Sequence, residues 1–226
     1  MFTPISLPDF EERTGIRRAD FVHLWDSVVR VVSMRAIKTV LGVQAMPRAY
    51  LEQLLRSVTL IGDRSCRPYE KSEIRLVRTD PRGVTVGQTF LERRKYLNFL
   101  EGFTSIFDGF CLPRGISKIT AMIILGRTEQ GELVLAHYIP PIVEDGNGGS
   151  RNGHPLIDGI HRSFVVKEAG TTIESVVIRG VEAPLPFEPK EWKEVQIVDE
   201  KPPAEERLFG SRLELFRDLK FSGIDG

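Results

Sequence analysis

The chain has 226 residues, 41% apolar and 27% charged, with 31 basic and 31 acidic side chains. That composition excludes a disordered tail, the length suits one compact unit better than two independent domains, and zero net charge disfavours polyanion binding by bulk charge. Two cysteines, Cys66 and Cys111, are too few and too far apart for a disulfide framework or a zinc site, and a reduced, cytoplasmic setting is expected. The opening residues carry acids and prolines where a secretion signal needs a basic start and an apolar run. The longest apolar stretches, such as 119–125, fall far short of the roughly 20 residues that span a bilayer, so no membrane partner is expected.

In chain order, a proline-containing leader precedes Phe21, Leu24, Trp25, Val28, Val31 and Val32, whose spacing predicts an amphipathic helix over 18–40 ended by Gly42, with Trp25 in the core. Pro47 opens a second, short helix carrying Leu51, Leu54, Leu55 and Val58. Residues 73–79 and 84–86 read as strands joined by an Asp80-Pro81-Arg82-Gly83 turn. Helical character is expected again over 88–107, with Arg93, Arg94 and Lys95 clustered on it.

The second half changes texture. Two β-rich runs around Glu129-Gln130-Gly131 signal a hairpin. A strand at Pro141-Ile142-Val143 leads into a glycine-rich loop, 145–155. Residues 155–170 read as a short strand, a glycine turn and a helix ending at Gly170, and 172–180 as a further strand. An extended, proline-stiffened connection follows, and Leu208, Phe209, Leu215, Phe216 and Leu219 predict an amphipathic helix over 203–219. The expected organisation is a mainly helical region 1–112 packing on a core, a mixed-sheet domain 113–195 and a helical extension 196–226.

One motif carries chemistry. Strand, then Asp158-Gly159-Ile160-His161-Arg162-Ser163, then helix, gathers backbone N–H groups and the positive end of a helix dipole at one point, which suits an anion. Gly159 permits a positive φ or a close approach to a ligand, Arg162 offers a planar fork for phosphate or carboxylate, and His161 and Ser163 add donors. Asp158 would be repelled by a bare phosphate. Its natural tasks are to hold magnesium, to orient His161 or Arg162, or to accept a proton from an attacking hydroxyl.

At these residues the sequence resembles the ParB and sulfiredoxin superfamily, whose signature is a strand, a Gly-x-x-Arg turn and a helix ending Ala-Gly before an Ile/Val strand. Gly159, Arg162, Lys167, Ala169-Gly170, Ile173 and Val176-Val177-Ile178 fall at matching spacing over roughly 116–180. The Asp-Gly-x-His-Arg form is similar to the family's free-serine kinases and to its Asp-Gly-Gln-His-Arg proteins. The turn lacks the reactive cysteine of sulfiredoxins, and sulfinic-acid reduction is not expected. The resemblance implies an α+β fold with a ParB/sulfiredoxin-like mixed sheet and packed helices.

It also implies a nucleoside phosphate (ATP, ADP or CTP) bound with Mg2+ at Gly159, Ile160, His161, Arg162 and Ser163, with Asp158 and His161 as catalytic residues of hydrolysis or phosphoryl transfer. The rival expectation is a nucleic-acid-binding module that uses the same turn for backbone phosphate, with Arg93, Arg94 and Lys95 extending the surface.

Plainer readings stand beside these. Arg162 could cap a carbonyl while His161 merely packs. His137 reads as a hydrogen-bonded strand histidine, His154 as a loop residue, Glu144 and Asp145 as solvated loop charges, and the two cysteines as core or partly buried thiols.

Overall fold

The computed structural model describes residues 2–17, 22, 24–94, 119–145 and 154–224. They form an α+β protein whose contacts separate two units rather than the single one expected, and each unit is built on its own five-stranded sheet. No helix among the described residues is long and apolar enough to cross a membrane.

The first unit comprises Met1–Glu70, Thr120–Ile139 and Arg217–Gly226. It opens with β1 (Ile5–Ser6) and α1 (Leu7–Thr14), a helix the leader reading missed. Its signals are local. The Ser6 hydroxyl accepts the Asp9 N–H at 3.2 Å, Pro8 occupies the first turn, and Gly15 closes the helix at φ 70°. α2 (Arg48–Arg56) buries Tyr50, Leu51, Leu54 and Leu55, as expected of the second helix. The sheet runs β1, β2 (Arg30–Val31), β9 (Leu133–Tyr138), β8 (Met122–Arg127), β3 (Thr39–Ala45). β8 and β9 are the expected antiparallel hairpin, with Ile124 opposite Ala136. A small second sheet pairs β4 (Thr59–Leu60) with β14 (Arg217–Asp218).

The helix expected over 18–40 is not formed where the chain is described. Residues 18–21 and 23 lie outside the described residues, and from Trp25 onward there follow a 3-10 turn (Trp25–Ser27), β2, a second 3-10 turn (Met34–Ala36) and β3. The valines explain this, because Val28, Val31 and Val32 fall at helical spacing while their β-branched side chains favour extended backbone. Val31 then pairs with Leu135 of β9, and Gly42 sits inside a strand instead of ending a helix. Trp25 is core as expected, its indole N–H donating to Glu11 at 2.9 Å.

The second unit comprises Lys71–Ile119 and Pro140–Phe216. Its sheet runs β5 (Glu73–Thr79), β12 (Ile173–Arg179), β10 (Ile142–Asp145), β11 (His154–Asp158), β6 (Val84–Val86). β10 pairs with β12 in parallel and with β11 antiparallel, so the helix α3 (Ile160–Glu168) lies on the crossover from β11 to β12. The Asp80 carboxylate caps the turn between β5 and β6 by accepting the Arg82 N–H, yet those strands occupy opposite edges of the sheet. Val84, Val86, Val143 and Leu156 form a buried cluster against which Ile160 of α3 and Trp192 pack.

Two helical expectations change in the second unit. The helix expected over 88–107 does not start at 88: Phe90–Glu92 is β7, paired in parallel with β13 (Gln196–Val198), Arg93 and Arg94 are helical, and positions 95–107 lie outside the described residues. The helix expected over 203–219 is broken by Gly210 at φ 73°, leaving only α4 (Ala204–Arg207) and a 3-10 turn (Leu213–Leu215) before β14. The mainly helical character expected of 1–112 is absent from its described residues, where strands predominate over α1 and α2.

Candidate functional site

β11 delivers the motif to the edge of the second unit's core. Its last residue, Asp158, stands opposite Ile142 of β10, and the chain then turns at Gly159 (φ 89°) directly into α3. The expected strand, glycine turn and helix are therefore formed. The need for glycine is met within the fold. A Cβ at Gly159 would lie 2.9 Å from the Pro141 Cα and 3.1 Å from the Arg162 guanidinium, so the close approach is to Pro141. No side chain caps the start of α3, and the first helical bond runs from the Ser163 N–H to the Gly159 carbonyl at 2.9 Å.

The motif residues face different ways. Arg162 is 8% exposed and donates from Nη2 to the Asp158 carboxylate at 2.7 Å, one turn apart along the chain. Of the three tasks open to Asp158, orienting Arg162 is the one its geometry shows. Ser163 is buried and Ile160 packs on the valine cluster. His161 alone among them lines a cleft, which it shares with Gln88, Phe90, Glu92, Lys201 and Arg207. The Arg207 Nε donates to the Pro202 carbonyl at 2.9 Å, which fixes that side chain on the cleft wall.

The cleft measures about 40 Å³. A water needs roughly 10–15 Å³ on this scale and drug-sized ligands occupy roughly 300–1,000 Å³, so the space suits two or three waters or one small anionic group. Lys201 and Arg207 bring positive charge, Glu92 one negative charge, and His161 a ring that can accept a proton. A larger hollow of about 600 Å³ lies in the first unit. Its charged walls, Glu52, Arg56, Arg67 and Glu70, are of mixed sign, and Glu52 is held between Arg48 and Arg56, so it presents no field of one sign.

Other candidates separate from the motif. Glu144 and Asp145, expected to be solvated loop charges, end strand β10 at the far end of β11 from the turn. Glu144 is 3% exposed, and Asp145 pairs with Arg179 at 2.7 Å and with the ring of His154 at 3.1 Å. Arg93 pairs with Asp199 at 2.7 Å, Arg94 is exposed, and Lys95 and Cys111 lie outside the described residues. Cys66 is partly exposed.

His137 is buried in the first unit, between the Gly223 carbonyl on Nδ1 (3.1 Å) and the Tyr50 hydroxyl on Nε2 (2.8 Å), with Phe10 stacked on its ring. A carbonyl only accepts, so Nδ1 carries the proton and Nε2 accepts from the Tyr50 hydroxyl. Burial holds the imidazole down at about 4 and pushes the Tyr50 phenol up.

Lys201, Arg207 and Gln88 were not legible as site residues. Nothing in their spacing ties them to position 161; only the pairing of β7 with β13 brings their segments together. Comparison with protein-family models, curated proteins and solved structures found no match for this chain.

Proposed function

We propose that the second unit binds a nucleoside phosphate through its terminal phosphate group, held by His161, Lys201 and Arg207 at the start of α3. The observation that carries this reading is the convergence of those three side chains on one small cleft. Two fixed cations and a protonatable ring complement a phosphate, and the helix dipole adds to their field. The cleft admits the phosphate and leaves the nucleoside outside it. The strand, glycine turn and helix, together with the spacing on to Ile173, support a ParB/sulfiredoxin-like sheet as the frame for this site.

Arg162 and Asp158 play a different part in this reading: their pair fixes the turn that presents His161. The donors at the turn do not fit a protein-held magnesium ion. Asp158 is engaged by Arg162, and among the described residues no group of three or more His, Cys, Asp or Glu could hold a metal. No hydrolytic or transfer step is derived, and the proposed function is recognition of the phosphate.

The test is calorimetric titration with inorganic phosphate, pyrophosphate, ATP, ADP, CTP and GTP, each with and without Mg2+. His161→Ala and Arg207→Ala are each expected to weaken binding about tenfold or more, since charge-assisted hydrogen bonds contribute ~1.5–3 kcal/mol. Binding that ignores both substitutions overturns the assignment. Steeply salt-dependent binding of a DNA duplex without nucleotide binding would transfer the site to a nucleic-acid backbone.

A further inference from the structure

The pairing of β7 with β13 builds one wall of the cleft at the start of α3. Side chains of a strand alternate between its faces, and β7 uses both: Leu91 is fully buried, while Phe90 and Glu92 on either side of it line the cleft. Val198, opposite Glu92 in the register, lines it too. The cleft therefore holds more than donors. Beside His161, Lys201 and Arg207 it carries the Glu92 carboxylate and the amide of Gln88, whose Nε2 donates to the Phe90 carbonyl and whose oxygen is an acceptor. A carboxylate accepts at two oxygens with about four lone-pair sites, so Glu92 can serve a neighbouring cation and still accept from a ligand.

A cleft that only attracts negative charge has no use for a carboxylate. Glu92 repels an anion that has no proton, whereas it accepts a charge-assisted hydrogen bond from one that keeps a proton on an oxygen. On the reading of this cleft as a phosphate site, we propose that Glu92 makes it selective for an oxyanion that carries a proton: a terminal phosphomonoester, its P–OH donating to Glu92 while Lys201 and Arg207 hold the other oxygens. Arg207 is suited to this, because its Nε is spent on the Pro202 carbonyl and its two terminal amino groups remain for the anion. A phosphomonoester takes its second proton at a pH of about 6, near enough to neutral for a fixed acceptor to hold it. Sulfate has the same shape but no proton at neutral pH, and a phosphodiester, as in a nucleic-acid backbone, has none to give. Size makes the contact direct. A cleft of about 40 Å³ filled by one small anion has no room for a further water between that anion and Glu92. Glu92 is thus a specificity-determining residue that rejects both sulfate and diesters.

The test titrates the full chain with inorganic phosphate, which keeps a proton at neutral pH, and with sulfate, both at one ionic strength and followed by amide chemical shifts. The unsubstituted chain is expected to bind phosphate about tenfold or more tightly than sulfate, the span of one charge-assisted hydrogen bond. Glu92→Gln keeps the size of the side chain and offers sulfate an N–H, so it should admit sulfate and bring the two affinities together, with the melting temperature unchanged. A merely structural Glu92 would instead weaken both anions in proportion, and that result overturns the proposal. Equal binding of the two anions by the unsubstituted chain, with both weakened by His161→Ala, also overturns it and leaves the cleft an anion site without this selectivity. Binding of neither anion nor any nucleotide overturns phosphate recognition itself, and the selectivity with it. If Glu92→Gln fails to fold, the phosphate-to-sulfate ratio of the unsubstituted chain decides, with dimethyl phosphate as a second proton-free anion expected to bind no better than sulfate.

Discussion

Gly159 and His137 show how far single residues answer to the fold around them. Gly159→Ala has to place a side chain at φ 89° and against Pro141, which is expected to cost at least about 2 kcal/mol from the left-handed backbone and the clash together. Urea unfolding would show it as a lower midpoint with unchanged slope. His137 gives a pH dependence. The unfolded chain protonates this ring as pH falls below its ordinary 6.5, while the folded chain keeps it neutral down to about 4. Stability is therefore full above pH 6.5 and declines as pH falls towards 4, by about 3 kcal/mol at ~1.4 kcal/mol per pH unit. His137→Gln should be less stable at neutral pH yet lose little more on acidification, which urea midpoints at neutral pH and at about pH 4.5 would reveal.

At the scale of elements, β11, the Gly159 turn and α3 were legible because a glycine separates an apolar pair, Leu156-Ile157, from a helical pattern. What the turn does was less legible. Arg162 read as an anion fork, but it is buried on Asp158, so Arg162→Ala is expected to cost about 2–3 kcal/mol by leaving a mostly buried carboxylate unpaired. Arg162→Ala with a melting temperature within a degree or two of the unsubstituted chain would contradict that. The segment after Trp25 misled for another reason: its valines fall at helical spacing, but their β-branching suits a strand, and the choice falls to β9, just over a hundred residues later in the sequence. α1 was missed although its cap is local. Ser6→Ala should cost about 1 kcal/mol, measurable by thermal unfolding.

For the whole molecule, the sequence supplied the α+β class but not the division of the chain. The expected boundaries at 112 and 195 cut across a sheet. β12 needs β5 on one side and β11 needs β6 on the other, and both partners lie before residue 112. A fragment of residues 113–195 is therefore expected to give no cooperative melting transition and poorly dispersed amide resonances; a cooperatively folded fragment would show that the inner strands suffice without their neighbours. Periodicity cannot reveal such arrangements, because it reports which face of an element is apolar and says nothing of which distant element will cover it.

The composition of the first unit has a consequence for how the chain is made. Its sheet takes strands from residues 5–45 and from 122–138, and its last pieces are β14 and the Gly223 carbonyl that holds His137. A ribosome delivers the amino-terminal strands long before their partners, and β2 waits for β9 through the synthesis of roughly a hundred further residues. Of the second unit, β5, β6 and β7 emerge in the interval, and β10 to β12 only after β9. Translation thus leaves the earliest-made strands exposed for longest, β3 among them, and the first unit cannot be completed until residue 224 has left the exit tunnel.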